Sequence, residues 1–210
     1  MVEGAAGLAV YIVDDDAAIR DALSLLLSLH GYRTASFASG EDLLGALDAG
    51  SAGCIVADLK MPGMTGLELQ AALQSRSVQL PVVIITAHGD VASARAAFRS
   101  DAVDFLEKPF EDRAVLAAVA AGMARERERL ERGARAQRRG ESLAALTERE
   151  RGVLELLVEG LHNRDVAQRL GISPRTVEVH KARVMEKLGA RNLVELIRAV
   201  EGAQGRGRGT

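Results

Sequence analysis

In the N-terminal half, short apolar runs alternate with stretches that repeat apolar residues every three or four positions. The first run, residues 8–13, ends in Asp14-Asp15-Asp16. Residues 17–29 then place Ile19, Leu23, Leu26 and Leu27 at helical spacing, with Gly31 as the stop. Residues 32–37 alternate as a short strand does. Ser39-Gly-Glu-Asp42 has the form of a capping box and opens a helix to about Asp48. Cys54 to Ala57 is an apolar run bounded by Gly53 and by Pro62-Gly63, the pattern of a buried strand with Asp58 at its carboxyl end. A helix from Thr65 or Gly66 to Ser75, a strand over 82–85 ending at Thr86, a helix over 91–99 capped by Asp90, a strand over 103–106 and a helix from Glu111 complete the series. Five strands alternating with five helices predict an α/β domain, a (βα)5 doubly wound parallel sheet covered on both faces.

The pattern changes after residue 122. Residues 123–142 carry Arg-Glu-Arg-Glu-Arg, Leu130, further arginines, Gly133 and Gly140, with almost no apolar stripe. Charges of both signs at close spacing hold a solvent-exposed helix, so this stretch is expected to be a charged helical linker that loosens by Gly140. Its arginines read as solvated surface before they read as DNA contacts. An all-α, four-helix pattern occupies 143–202. Thr147 and Glu150 form a capping box before Val153, Leu154, Leu157 and Val158, and Gly160 stops that helix. Residues 163–170 make a short helix ending at Gly171. Ser173-Pro174 opens a helix through Leu188, with Val177, Val184 and Leu188 on its inner face, and Asn192 caps a last helix to about Val200. A short helix, a glycine turn and a second helix form a helix-turn-helix. Residues 203–210, rich in Gly and Arg, are expected to be a flexible tail.

Charge separates the same two halves. Of 210 residues, those over 1–122 hold eight Lys and Arg against sixteen Asp and Glu, a net −8. Those over 123–210 hold nineteen against thirteen, a net +6 that brings the whole chain to −2. The acidic half suits a cation and the basic half a polyanion. Apolar content of 48% gives each half a core, and no apolar stretch approaches the length of a membrane span. With no secretory signal in view, a cytoplasmic, membrane-free protein is expected. The single cysteine, Cys54, reads as core packing in a reducing compartment.

A parallel sheet gathers strand ends on one edge, here Asp14, Asp15, Asp58, Thr86 and Lys108. Carboxylates brought together repel unless a cation sits among them. Hard oxygen ligands without a Cys/His cluster suit Mg²⁺ better than zinc. A lysine and a threonine hydroxyl suit a phosphoryl group. Asp16 and Asp90 read as helix caps, and His88 as a loop residue near this edge.

Val13-Asp14-Asp15, Asp58-Leu-Lys-Met-Pro62-Gly63, Ile84-Ile-Thr86-Ala87 and Phe105-Leu-Glu-Lys108-Pro109-Phe110 resemble the receiver domain of bacterial two-component response regulators, in FixJ-like wording, over residues 8–122. The resemblance implies that Asp58 takes a phosphoryl group from a sensor histidine kinase to become an aspartyl phosphate. Asp15 and Asp58 would ligate Mg²⁺ directly, with Asp14 near it or binding through water and the Lys60 carbonyl as a further ligand. Lys108 would pair with the phosphoryl oxygens, Thr86 would move to bond one of them, and Phe105 would turn into the vacated space. The bond from Lys108 to Pro109 would be cis.

Leu146-Thr-Glu-Arg-Glu150, Gly171-Ile-Ser-Pro-Arg-Thr-Val-Glu-Val-His180 and Lys187-Leu-Gly resemble the LuxR-type DNA-binding domain over 143–200. Its second helix shows Arg175, Thr176, Glu178, Val179, His180, Lys181, Ala182 and Arg183. The resemblance puts Glu178, Val179 and Ala182 at bases, Arg175 and Lys181 on the backbone, and dimer contacts around 193–197. The expected function is a non-enzymatic transcription regulator, homodimeric when phosphorylated, with promoter DNA, the kinase and RNA polymerase as candidate partners. Two other readings compete: an enzyme with an aspartyl-phosphate intermediate, and a phosphorylation-independent regulator with a scaffold receiver. The enzymes commonly carry a second acid two residues past the nucleophile, where this chain has Lys60. A scaffold would need none of Asp15, Asp58, Thr86 and Lys108.

Overall fold

The computed structural model describes residues 7–87 and 103–204. The helix expected over 91–99, with Asp90 and His88, lies outside them. The chain divides into two units, Met1–Arg129 and Leu130–Thr210.

From the first unit onward the elements run β1 (Leu8–Val13), α1 (Ala17–Leu29), β2 (Thr34–Phe37), α2 (Gly40–Ala46), β3 (Ala52–Asp58), α3 (Gly66–Ser75), β4 (Val82–Thr86), β5 (Asp104–Glu107) and α4 (Asp112–Ala144), whose residues fall in both units. The strands form one parallel sheet in the order β2-β1-β3-β4-β5. Alternate residues of β1, β3 and β4 feed two cores. Val13, Ile55, Ala57 and Ile84 pack with Leu43, Leu69 and Leu73 of α2 and α3 on one face. Val10, Ile12, Val56, Val83 and Ile85 pack with Leu23 and Leu27 of α1 and Val115 and Val119 of α4 on the other. Each such aliphatic side chain stabilises the fold by about 1.5–3 kcal/mol. The register sets Val13 beside Ala57, Asp58 beside Ile85 and Thr86 beside Glu107. The strands therefore end level with one another, and the residues at and just beyond their carboxyl ends share one edge.

Local chemistry fixes the helix starts. Asp16 caps α1 by accepting from the Ala18 amide at 2.8 Å. Thr65 and Glu68 make a reciprocal capping box at α3. Ser39 accepts from the Asp42 amide, so α2 has half of the expected box. Gly66 lets α3 approach β3: a Cβ there would lie 2.5 Å from the Asp58 carbonyl oxygen. Strand β5 is shifted one residue from the expected 103–106, and at its start Asp104 Oδ1 accepts from the Phe105 N–H at 2.8 Å.

Helix α4 corrects the expectation that the charged stretch loosens by Gly140: it runs unbroken through Gly133 and Gly140. Each interior glycine costs about 1 kcal/mol. Pairs one turn apart, Arg135 with Glu131 and Gln137 with Glu141, both at 3.0 Å, offset part of that. Its buried face also continues past residue 122, to Met123 and Glu126.

The second unit contains α5 (Glu148–Val158), α6 (Asn163–Leu170), α7 (Pro174–Leu188) and α8 (Leu193–Gln204). The last helix reaches Gln204, past the expected end at Val200. Val153, Leu157, Val166, Ala167 and Val177 form one core. Leu146, Leu154, Val184, Leu196 and Val200 form a second. Gly171 and Gly189 end α6 and α7 in the left-handed conformation, with φ of 66° and 65°. No helix among the described residues is long and apolar enough to cross a membrane.

Candidate functional site

The level strand ends of the sheet bring Asp14, Asp15 and Asp58 together, with a carboxylate oxygen from each within 4.8 Å of the others. Asp14 and Asp58 are buried and Asp15 is exposed. Asp14 is held from both sides: Oδ1 accepts from the Asp16 amide at 2.9 Å, and Oδ2 accepts from Lys108 Nζ at 2.8 Å. The same ammonium stands 3.3 Å from Asp58 Oδ1, an ion-pair distance without hydrogen-bond alignment. Among the described residues nothing hydrogen-bonds to that buried oxygen. Thr86, fully buried, ends the neighbouring strand, and its carbonyl accepts from the Lys108 amide at 2.6 Å.

This crowding sets the electrostatics. Burial, first, pushes the Asp58 carboxyl above the usual carboxylate value; the Lys108 charge opposes this and the Asp14 charge adds to it. Burial would pull the Lys108 ammonium down, but its hydrogen bond and ion pairs with Asp14 and Asp58 outweigh that and raise it. Asp14 and Asp58 share one lysine and Asp15 stands beside them, so the pocket keeps unmet demand for positive charge. A hard divalent cation fits: the donors are all carboxylate oxygens, and one of them is buried with no hydrogen bond.

Of the other residues expected at this edge, Lys60 is exposed in the loop after β3. Phe105 is half-buried and packs against the core shared by β3, β4, α2 and α3. The Lys108–Pro109 peptide is cis. Cys54 is buried, and burial together with the nearby Glu126 charge pushes its thiol up to about 12, as suits an inert packing residue.

In the second unit, α7 starts at the Ser173 cap, which accepts from the Thr176 amide at 3.1 Å, with Pro174 in its first turn. Val177 and Val184 anchor its inner face with no exposed surface. Arg175, Glu178, Val179, Ala182 and Arg183 are exposed, and Val179 is an exposed apolar residue at 46%. Thr176, His180 and Lys181 are half-buried. The Thr176 hydroxyl is engaged with that of Ser173 at 2.8 Å, and His180 Nδ1 is turned inward without a hydrogen bond. The eight residues singled out from the sequence thus divide into five on the open face and three leaning on its flank.

One buried glutamate escaped the sequence pattern, and a second, Glu150, holds a partner beyond the capping box expected of it. Glu126, with no exposed surface, accepts from Arg129 Nε at 2.6 Å and Nη2 at 2.8 Å. Its signal was its place on the stripe of Val119, Met123 and Glu126, three residues before an arginine. Glu150, 3% exposed, closes the capping box of α5 by accepting from the Thr147 amide at 2.9 Å. It also accepts from Lys187 Nζ at 2.7 Å, a bond across 37 residues that no local pattern announces. That hydrogen bond first, with the Thr147 amide second, holds the Glu150 carboxyl down at about 2.

Comparison with known proteins matches these two units to two families. The response regulator receiver domain matches residues 10–120, and bacterial regulatory proteins of the luxR family match residues 144–200. The transcriptional regulatory protein FixJ of Azorhizobium caulinodans is 45% identical over 91% of this chain and 90% of its own. The C4-dicarboxylate transport transcriptional regulatory protein DctR of Rhodobacter capsulatus is 44% identical over 90% of this chain and 97% of its own. Among solved structures, the response regulator StyR aligns with a TM-score of 0.83 at 38% identity, covering 93% of this chain and 99% of that one. Full-length FixJ from B. japonicum aligns with a TM-score of 0.58 at 41% identity, covering 93% and 96%. With its sheet order, its acid edge and its helix-turn-helix all accounted for, the chain belongs to the FixJ-like two-component response regulators, transcription regulators that join a receiver domain to a LuxR-type DNA-binding domain.

Proposed function

We propose that Asp58 is the phosphoryl acceptor and that its phosphorylation controls dimerisation and sequence-specific DNA binding by α7. The observation that carries this reading is the Asp58 Oδ1 atom, buried, without a hydrogen bond and 3.3 Å from Lys108 at a three-carboxylate edge. Asp58 attacks the phosphorus of a phosphohistidine on a sensor kinase. The new bond joins an Asp58 oxygen to phosphorus, the phosphorus–nitrogen bond breaks, and its electron pair stays on the imidazole, which then takes a proton. Asp15, Asp58 and the Lys60 carbonyl would hold Mg²⁺, with Asp14 beside it, and the ion when bound would supply positive charge against the oxygens of the transferring group. Asp14 serves mainly to hold Lys108, since both its oxygens are already engaged. Lys108 then pairs with the phosphoryl oxygens. Thr86 donates its hydroxyl to one of them, and Phe105 turns into the space released, so that a local charge change biases a packing switch.

On the DNA side, α7 enters the major groove with Glu178, Val179 and Ala182 at base edges. Arg175, Lys181 and Arg183 meet phosphates, with Thr176 and His180 supporting them from the flank. Residues 123–142 act as the linker, and the stretch from Leu193 to Ile197 pairs two copies on half-sites roughly 34 Å apart. The protein works in the cytoplasm, has no catalytic turnover of its own, and meets RNA polymerase at the promoter. The test is intact mass after treatment with acetyl phosphate and Mg²⁺. Wild type gains one phosphoryl group and Asp58→Asn gains none; an equal gain in both would refute the assignment.

A further inference from the structure

The Lys187 ammonium joins three elements of the second unit. It sits in the last turn of α7, donates to Glu150 Oε2 at 2.7 Å in the first turn of α5, and donates to the Ala145 carbonyl at 3.1 Å. Ala145 is the residue immediately after α4, the helix that has residues in both units. The carboxyl end of a helix carries unmet carbonyls and partial negative charge, so a cation there is both a cap and a tether. Glu150 is fixed in turn by burial and by the Thr147 amide, leaving the lysine little freedom to move with one partner without the other. Apolar contact reinforces the junction: Leu143 and Leu146, on either side of Ala145, pack in the same core as Val184, Met185 and Leu188 of α7.

We propose that Lys187 is a positioning residue through which the end of α4 sets the angle at which α7 meets DNA. This rests on the reading that receiver phosphorylation controls DNA binding, and it names where that control enters the DNA-binding unit. The lever arm is favourable. Arg175 lies twelve residues from Lys187, about 18 Å along a helix. A tilt of about 5° at the Lys187 end therefore moves Arg175 by roughly 1.5 Å, enough to carry a contact in or out of hydrogen-bond range. An ion pair that only held the fold together would change DNA affinity equally whether or not the receiver was phosphorylated.

The experiment uses the full chain and a duplex selected from a random-sequence library by acetyl-phosphate-treated wild type. Affinity is measured with and without acetyl phosphate and Mg²⁺ for wild type, Lys187→Met and Lys187→Arg. Wild type is expected to gain at least about fivefold on treatment. Lys187→Met, which keeps the apolar stem and loses both hydrogen bonds, should gain less than about twofold, and Lys187→Arg should recover most of the gain. An undiminished gain in Lys187→Met overturns the inference alone. No gain in wild type removes the phosphorylation reading, and the inference with it. Should Lys187→Met fail to fold, amide exchange in wild type decides: peptides over 143–150 and 184–190 must change together on treatment. A rise in affinity with both unchanged overturns the inference.

Discussion

The acid edge of the receiver and the open face of α7 are built in opposite ways. The first is assembled from afar: the Lys108–Asp14 bond joins residues 94 apart, and only the level ends of the strands bring them together. The second is assembled locally, on nine consecutive residues of one helix held by Val177 and Val184. A non-local site depends on its whole sheet but is forgiving of any one loop. A local face is present as soon as its helix forms, yet its direction depends on the few contacts that seat that helix. Changes at the edge should therefore alter the chemistry while leaving the fold, whereas changes under α7 should alter the fold before the chemistry.

The largest effect expected on this contrast comes from burying a charge under α7. Val177→Asp leaves an uncompensated carboxylate in an apolar core, at a cost of roughly 3–5 kcal/mol. Calorimetry should show the second unit unfolding early while the receiver transition stays in place; a single unshifted profile would break the division between the two regions. At the acid edge, Lys108→Met should leave the receiver folded but make it bind Mg²⁺ more tightly, by about tenfold, because the ammonium and the metal compete for the same carboxylates. Titration calorimetry reads this directly, and weaker binding would show that the lysine assists the metal instead.

Smaller effects are expected on the open face. Arg175→Gln should weaken DNA binding about equally on all sequences and lower the salt slope of affinity by about 1, the mark of one lost phosphate contact. A loss confined to the selected duplex would move Arg175 to a base edge. The smallest effect concerns pH. Because Glu150 is held at about 2 against a usual 4.5, its contribution to stability is full above about 4.5 and is lost as pH falls from there through about 2. Urea midpoints for the second unit should fall across that window in wild type and fall less in Glu150→Gln.

The same contrast governs how much of this the sequence carries. The strand ends were legible because a buried run bounded by Gly53 and Pro62 has few other readings, and because the parallel sheet gathers such ends whatever lies between. The α7 face was legible because Ser173-Pro174 and Gly189 bracket one helix. The reach of α4 through Gly140 was not, since two interior glycines read as a stop and the side-chain pairs one turn apart that offset part of their cost are weak signals in a sequence. Glu126 and Lys187 were missed for one reason: a charged residue reads as surface until its partner is known. Arg129 lay close enough in sequence to suggest itself, but the partners of Lys187, Ala145 and Glu150, are 42 and 37 residues away.

The central claim is that charge placed on Asp58 changes how α7 meets DNA. The direct measurement is the affinity of the full chain for its selected duplex, with and without acetyl phosphate and Mg²⁺, in wild type and in Asp58→Asn. Affinity should rise on treatment in wild type and stay flat in Asp58→Asn; the same affinity in all four samples would contradict it.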